Sequence, residues 1–209
     1  MHVLVVAKAP VAGRSKTRLC PPCTPQEAAD IAEAALADTL SAVAVCGADR
    51  CVLALDGRPG EWLPPGFTVI PQVEGPLDVR LAEAWMSVGG PGLQIGMDTP
   101  QVTAALLDEC LAALESRSVD AALGLARDGG WWSIGLRTPR RSVFLGIAMS
   151  QADTGEQQRR RLEQLHQRIA PLPELRDIDD FHDALAVAAE LPGSRTAAAV
   201  DRLQVRESR

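Results

Sequence analysis

His2-Val3-Leu4-Val5-Val6-Ala7, followed at once by Lys8-Ala9-Pro10-Val11-Ala12-Gly13-Arg14-Ser15-Lys16-Thr17-Arg18-Leu19, decides the reading of the fold. The first part is a short apolar run, β-branched over Val3 to Val6. It shows no alternation, which is the mark of a strand buried on both faces in a parallel sheet. The second part is a loop with four basic residues, a permissive glycine and no acid. Thr24-Pro25-Gln26-Glu27 then opens a helix, with Thr24 as N-cap, Pro25 in the first turn and Glu27 closing a capping box. Strand, cationic loop, helix is the start of an α/β chain whose ligand lies beyond the carboxyl ends of the strands.

The alternation continues. Cys51–Leu55, Phe67–Ile70, Leu93–Gly96, Ala121–Leu125 and Trp131–Leu136 read as strands. Helices are expected from Thr24 to about Gly47, over Asp78–Val88, from a Thr99-Pro100 start to about Ser116, and over Gly155–Arg168, Asp180–Leu191 and Arg195–Leu203. A polar C-terminal tail, 204–209, follows. The pattern predicts a mostly parallel sheet with helices on both faces, and an antiparallel strand or two in the last third. There is no internal repeat and no linker, so 1–209 reads as one domain.

The 209 residues suffice for a buried core, and the 46% apolar and 23% charged content is that of a globular protein. A net charge of −6 argues against a general nucleic-acid binder. The first strand is too short for a secretory core, and no apolar run reaches the length of a membrane span, so a cytoplasmic location is expected. Oligomeric state, and whether Trp62 and Trp85 are core or interface, stay open. Cys20-Pro21-Pro22-Cys23 lacks the partners of a zinc site; a redox pair beside a helix start and two small apolar residues at a turn are its two readings.

Four segments carry candidate chemistry. In the first loop, Lys8, Lys16 and Arg18 can neutralise phosphate oxygens while backbone N–H groups near Gly13 approach them. The spacing is neither a Walker loop nor a dinucleotide fingerprint. In Gly96-Met97-Asp98-Thr99-Pro100, Asp98 stands where a buried strand ends, a place for a carboxylate ligand of Mg²⁺ or Mn²⁺. Thr99 takes the N-cap position there, which leaves Asp98 without a structural task. In Asp128-Gly129-Gly130-Trp131-Trp132, the glycines let the backbone approach a ligand and Asp128 can hold a hydroxyl or act as a base. A hairpin turn is the alternative. In Asp177-Ile178-Asp179-Asp180, Asp180 can cap the next helix, and Asp177 and Asp179 are candidates for a second metal contact; a solvated acidic turn is the alternative. None of the three histidines belongs to these motifs. Cations and carboxylates together suit diphosphate chemistry, with Lys16 and Asp128 as candidate catalytic residues.

Lys8 to Leu19 also resembles the K-A-P-x-x-G-x-x-K-T-R-L signature of a bacterial group of glycosyltransferase A-type proteins, of the arsenosugar-biosynthesis type. Gly96 to Pro100 is similar to that group's G-x-D-x-P, and Gln72, Gly75, Leu77 and Arg80 to its Q-x-x-G-x-L-x-x-R. Asp128 to Leu136 resembles its D-G-G-[YW]-[YW]-x-I-G-L, and Asp177 to Asp179 its D-I-D. The matches keep the group's order along nearly the whole chain. Departures fall at Pro76 and Asp78, and at Met149-Ser150-Gln151, where the group has W-S-T.

The resemblance implies a three-layer α/β/α nucleotide-diphospho-sugar transferase fold with a seven-stranded, mostly parallel sheet. It implies nucleotide or phosphate contacts from Lys8, Pro10, Gly13, Lys16, Arg18, Gln72, Gly75, Arg80, Gly129 and Gly130. It also implies a metal held by Asp98 with Asp177 or Asp179, and Asp128 on the acceptor side. Glycosyl transfer from a nucleotide-sugar to a small acceptor is then the expected reaction. Nucleotidyl transfer from an NTP to a phosphorylated acceptor is the alternative, since guanylyltransferases that build deazaflavin cofactors share the fold. A non-catalytic nucleotide-binding protein is the reading from another class.

Overall fold

The computed structural model describes residues 1–207, with side chains through 203. Its seven strands are β1 (His2–Lys8), β2 (Arg50–Asp56), β3 (Phe67–Pro71), β4 (Gly92–Ile95), β5 (Ala121–Leu125), β6 (Trp131–Leu136) and β7 (Ile169–Pro171). They form one sheet in the order β3-β2-β1-β4-β6-β5-β7. Only β6 runs against the rest, pairing antiparallel with β4 and β5. The antiparallel strand thus falls just before the last third of the chain. The late strand β7, which the sequence pattern does not reveal, is parallel to β5.

The helices are α1 (Pro25–Ala44), α2 (Leu77–Val88), α3 (Ala104–Glu115), α4 (Thr154–Gln164), α5 (Phe181–Glu190) and α6 (Arg195–Glu207). β1 alternates its two faces between two cores. Val3 and Val5 pack with Leu36 and Leu40 of α1 and Leu107 of α3. Leu4 packs with Leu81 and Trp85 of α2 and Phe144 on the other face. Both faces being covered, the strand needs no polar alternation. Trp85 is fully buried, its indole N–H donating to Gln94 Oε1 at 2.7 Å; Trp62 is half-buried against the first core. α1 is buried on two sides. Its alanine-rich outer face, with Ala28, Ile31 and Ala35, receives Ala184 and Val187 of α5 and Ala197 and Val200 of α6. Cys23 is buried in that third core and Cys20 packs at its edge.

Helix starts follow local chemistry, with one correction. Thr24 and Glu27 form the expected capping box, and Asp180 with Asp183 forms another. The Thr99-Pro100 start is not a helix start. Val102 N–H closes a turn onto the Thr99 carbonyl, and α3 begins five residues later, where Thr103 Oγ1 accepts from Leu106 N–H at 3.1 Å. Thr99 is buried in the turn instead. α4 also ends early: His166 takes a left-handed φ of 56°, and the chain turns into β7. α6 runs to Glu207, past the Leu203 end expected for it; the last two residues of the tail, 208–209, lie outside the described residues.

Candidate functional site

The sheet order sets the site. From β1 the chain passes to β2 on one side, while β4 lies on the other side of β1. This is a switch point, where loops leave the two strand ends in opposite directions and open a crevice. The β1 loop (9–16) and the β4 loop (96–103) both rise there. The turn between β5 and β6 and the segment 172–180 flank them.

The β1 loop is held by its own polar groups. Ser15 is buried; its hydroxyl donates to the Ala9 carbonyl at 3.2 Å and accepts from Val11 N–H at 3.0 Å. The next residue, Lys16, takes a left-handed backbone with φ 49°. That conformation is costly for a non-glycine residue and persists only where surroundings over-determine it. It turns the Lys16 side chain inward, where it is only 12% exposed. The ammonium lies 3.0 Å from Asp98 Oδ2 and also donates to the Ile178 carbonyl. Ile178 N–H in turn donates to the Asp98 carbonyl at 2.9 Å. The first loop, the β4 loop and the acidic segment are thereby fastened together. Asp98 Oδ1 is buried and has no partner among the described residues.

Four carboxylates gather around this point. Arg18 Nη1 holds Asp179 Oδ2 at 2.6 Å. Burial pushes the Asp177 carboxyl up to about 6, with the nearby negative charges of Asp128 and Asp179 adding to it and Lys16 opposing. Such crowding of like charge is relieved by a cation. Asp128 caps its own turn, its Oδ1 accepting from Gly130 N–H at 2.7 Å. The β5–β6 connection is therefore a hairpin turn and a wall of the crevice at once.

The crevice is a groove of ≈ 520 Å³ that continues into a smaller pocket of ≈ 310 Å³; both are bounded by Lys8, Arg18, Met97, Asp98, Ser150 and Asp179. Lys16 faces the smaller pocket, while Gln72, Arg80, Asp128, Gly130 and Asp177 face the larger. Gln72 joins three strands: its amide donates to the carbonyls of Ala7 (2.7 Å) and Ala54 (2.9 Å) and accepts from Arg80 (2.9 Å). Its contact with a ligand is thus through Arg80 and the groove floor, with its amide N–H groups spent on the sheet.

Pro10, Gly13, Gly75 and Gly129 line neither space. Gly13 is exposed with a φ of 73°. Gly129 packs against the Ala152 carbonyl oxygen, which a Cβ would meet at 1.8 Å, so close backbone packing explains that glycine. Met149, Ser150 and Gln151, the segment that departs from the group's W-S-T, form a neutral wall of the groove together with Ala152. The sequence reading passed over Ala152 and Asp56, 3.7 Å from Arg80; Asp56 had a signal, the acid ending a buried strand. His182 lies with Asp180 and Asp183, their ligating atoms all within 4.8 Å, and none of the three lines either space.

Residues 28–151 match the model of a family described as uncharacterized proteins conserved in bacteria (DUF2064). No curated protein matches the chain. A nucleotide-diphospho-sugar transferase candidate from Desulfovibrio desulfuricans G20 superposes with a TM-score of 0.87 at 23% identity, over 98% of this chain and 95% of that one. A nucleotidyl transferase from Methanothermobacter thermautotroptrophicus gives 0.53 at 17% identity, over 90% and 95%. A cytidylyltransferase from Leptospira borgpetersenii gives 0.53 at 12% identity, over 99% and 94%. At these identities the likeness establishes the fold, the mostly parallel seven-stranded architecture that the sequence motifs implied. No helix among the described residues is long and apolar enough to cross a membrane.

Proposed function

The chain belongs to this family of uncharacterized bacterial proteins, and we propose that it is a metal-dependent transferase that moves a glycosyl group from a nucleotide-sugar to a small acceptor. The single observation behind this reading is the meeting of Lys16 and Asp98, 3.0 Å apart at the switch point of the sheet. A diphosphate needs cations, and a divalent ion needs carboxylate oxygens; both are within reach of one seat there.

The residues fit a hard divalent ion. Asp98 Oδ1 is buried without a partner among the described residues, and Asp177 is crowded by Asp128 and Asp179. Asp98, with Asp177 or Asp179, would hold Mg²⁺ or Mn²⁺. When bound, such an ion offsets the charge that develops on the leaving diphosphate.

The chain's own groups do the rest. Lys8, Lys16 and Arg18 bind the diphosphate oxygens and stabilise the nucleoside diphosphate as it departs. Arg80, set by Gln72 and Asp56, fixes the nucleotide side. Trp131 and Asp128 offer a sugar an apolar face and a hydroxyl acceptor on adjoining walls of the groove. Asp128 Oδ1 is engaged by Gly130, so Oδ2 is the atom that receives the acceptor hydroxyl proton. The bond from the anomeric carbon to the diphosphate oxygen breaks as the bond to the acceptor oxygen forms.

The test is a thermal-shift screen of nucleotide-sugars and NTPs with and without Mn²⁺, followed by product analysis. A ligand at ~100 times its dissociation constant stabilises the native state by about 2.7 kcal/mol. Release of nucleoside diphosphate from a nucleotide-sugar supports the reading. Pyrophosphate release from an NTP alone replaces it with nucleotidyl transfer. Nucleotide binding indifferent to metal replaces it with a non-catalytic binder.

A further inference from the structure

The groove is electrically divided along the chain. Every cation that lines it comes from positions up to Arg80: Lys8, Arg14, Lys16, Arg18 and Arg80. From Gln94 onward the lining supplies Asp98, Asp128, Asp177 and Asp179 and, among the described residues, no Lys or Arg. The arginines adjoining those acids are turned to other work: Arg127 faces Glu174 at 3.8 Å and Arg176 holds Asp183 at 2.8 Å. The rest of the far wall is neutral, from Trp131 to Met149, Ser150, Gln151 and Ala152. Two of these acids are already paired with cations of the first loop, Asp98 with Lys16 and Asp179 with Arg18; Asp128 and Asp177 have no salt-bridge partner among the described residues.

We propose that the acceptor is an uncharged or cationic hydroxyl compound and that this wall rejects acceptors bearing a phosphate or carboxylate. The inference rests on the transferase reading and names the substrate class of its second site. The cationic half is matched to the donor's diphosphate and is consumed by it. An oxyanion held beside Asp128 and the neutral wall would be desolvated with no Lys or Arg from that part of the lining to meet it, and like-charge juxtaposition of this kind is a strong means of exclusion. A hydroxyl meets the opposite situation: Asp128 Oδ2 accepts its proton, and Trp131 and Met149 cover apolar carbon beside it.

Matched acceptor probes test this: glycerol against glycerol 3-phosphate, and glucose against glucose 6-phosphate, each with a nucleotide-sugar and Mn²⁺, reading nucleoside diphosphate release. The neutral member of each pair is expected to accelerate release at least about tenfold more than its phosphate. Q151K, which adds a cation on an exposed wall position, is expected to narrow that gap. A second measurement needs no turnover. Protein saturated with nucleoside diphosphate and Mn²⁺ is titrated with inorganic phosphate by calorimetry; the wild type is expected to take up none at millimolar concentration, and Q151K to bind it. Preference for the phosphorylated probes, or phosphate uptake by the loaded wild type, overturns the acceptor inference while leaving the donor reading in place. Pyrophosphate release from NTP with glucose 1-phosphate, and no consumption of nucleotide-sugar, overturns both.

Discussion

Lys16 is stationed by a strained backbone, a buried hydroxyl beside it and a carboxylate 3.0 Å away. K16M keeps the aliphatic stem and removes the charge, so it is expected to weaken nucleoside diphosphate binding at least about tenfold, by calorimetry, and to lower the melting temperature because Asp98 and the Ile178 carbonyl lose their partner. D98N is expected to abolish the Mn²⁺-dependent part of nucleotide stabilisation and spare the metal-free part. Gly129 makes the contrasting case. With φ +89° and the Ala152 oxygen 1.8 Å from a built Cβ, G129A is expected to cost about 2 kcal/mol or more in chemical denaturation. These residues show what the sequence reveals at this scale. Charged side chains at strand ends point to chemistry because a buried sheet gives them nowhere else to go. A Gly-Gly pair does not separate close ligand approach from close packing, since both need the same missing Cβ. Gly130 reaches the groove and Gly129 does not.

The elements were largely written in local signals, and their failures are instructive. Thr99-Pro100 reads as a helix start, but the chain starts the helix after Thr103. The carbonyl of Thr99 is spent on a turn that carries the chain away from β4, a choice made by tertiary path and not by the tripeptide. T103A is therefore expected to destabilise by about 1 kcal/mol in urea denaturation. T99V, at a buried hydroxyl without a partner among the described residues, is expected to change stability by less than about 0.5 kcal/mol or to raise it. Had Thr99 been the cap, the order would be reversed. β7 escaped notice because Ile169-Ala170-Pro171 is too short to show a period; it is a strand only because the edge of β5 is there to receive it.

At the scale of the molecule, three apolar cores and one switch point account for the site. The side chain of His2, the first residue of β1, is fully buried, edge-on to Trp85 with ring centroids 5.2 Å apart. Burial, with Arg50 and the chain's own ammonium, lowers its proton affinity to about 4 from 6.5. The folded state thus binds fewer protons than the unfolded chain between those values. Its contribution is complete above 6.5 and is lost as pH falls toward 4, a loss of about 3 kcal/mol at most. Asp177 acts in the opposite sense, its carboxyl being raised. The measurement is therefore the difference in unfolding free energy between wild type and H2Q from pH 7 to pH 4, which is expected to shrink with acid if the burial of His2 is as described.

The third core has a temporal meaning. α1 is clamped between the sheet and α5 with α6, and the strand of chain leading into α5 supplies Ile178, which ties Lys16 and Asp98. The seat thus depends on a segment made long after β1 and β4. A nascent chain that has already paired β1 with β4 still lacks that tie, so competence for the donor waits until Ile178 has been made and docked.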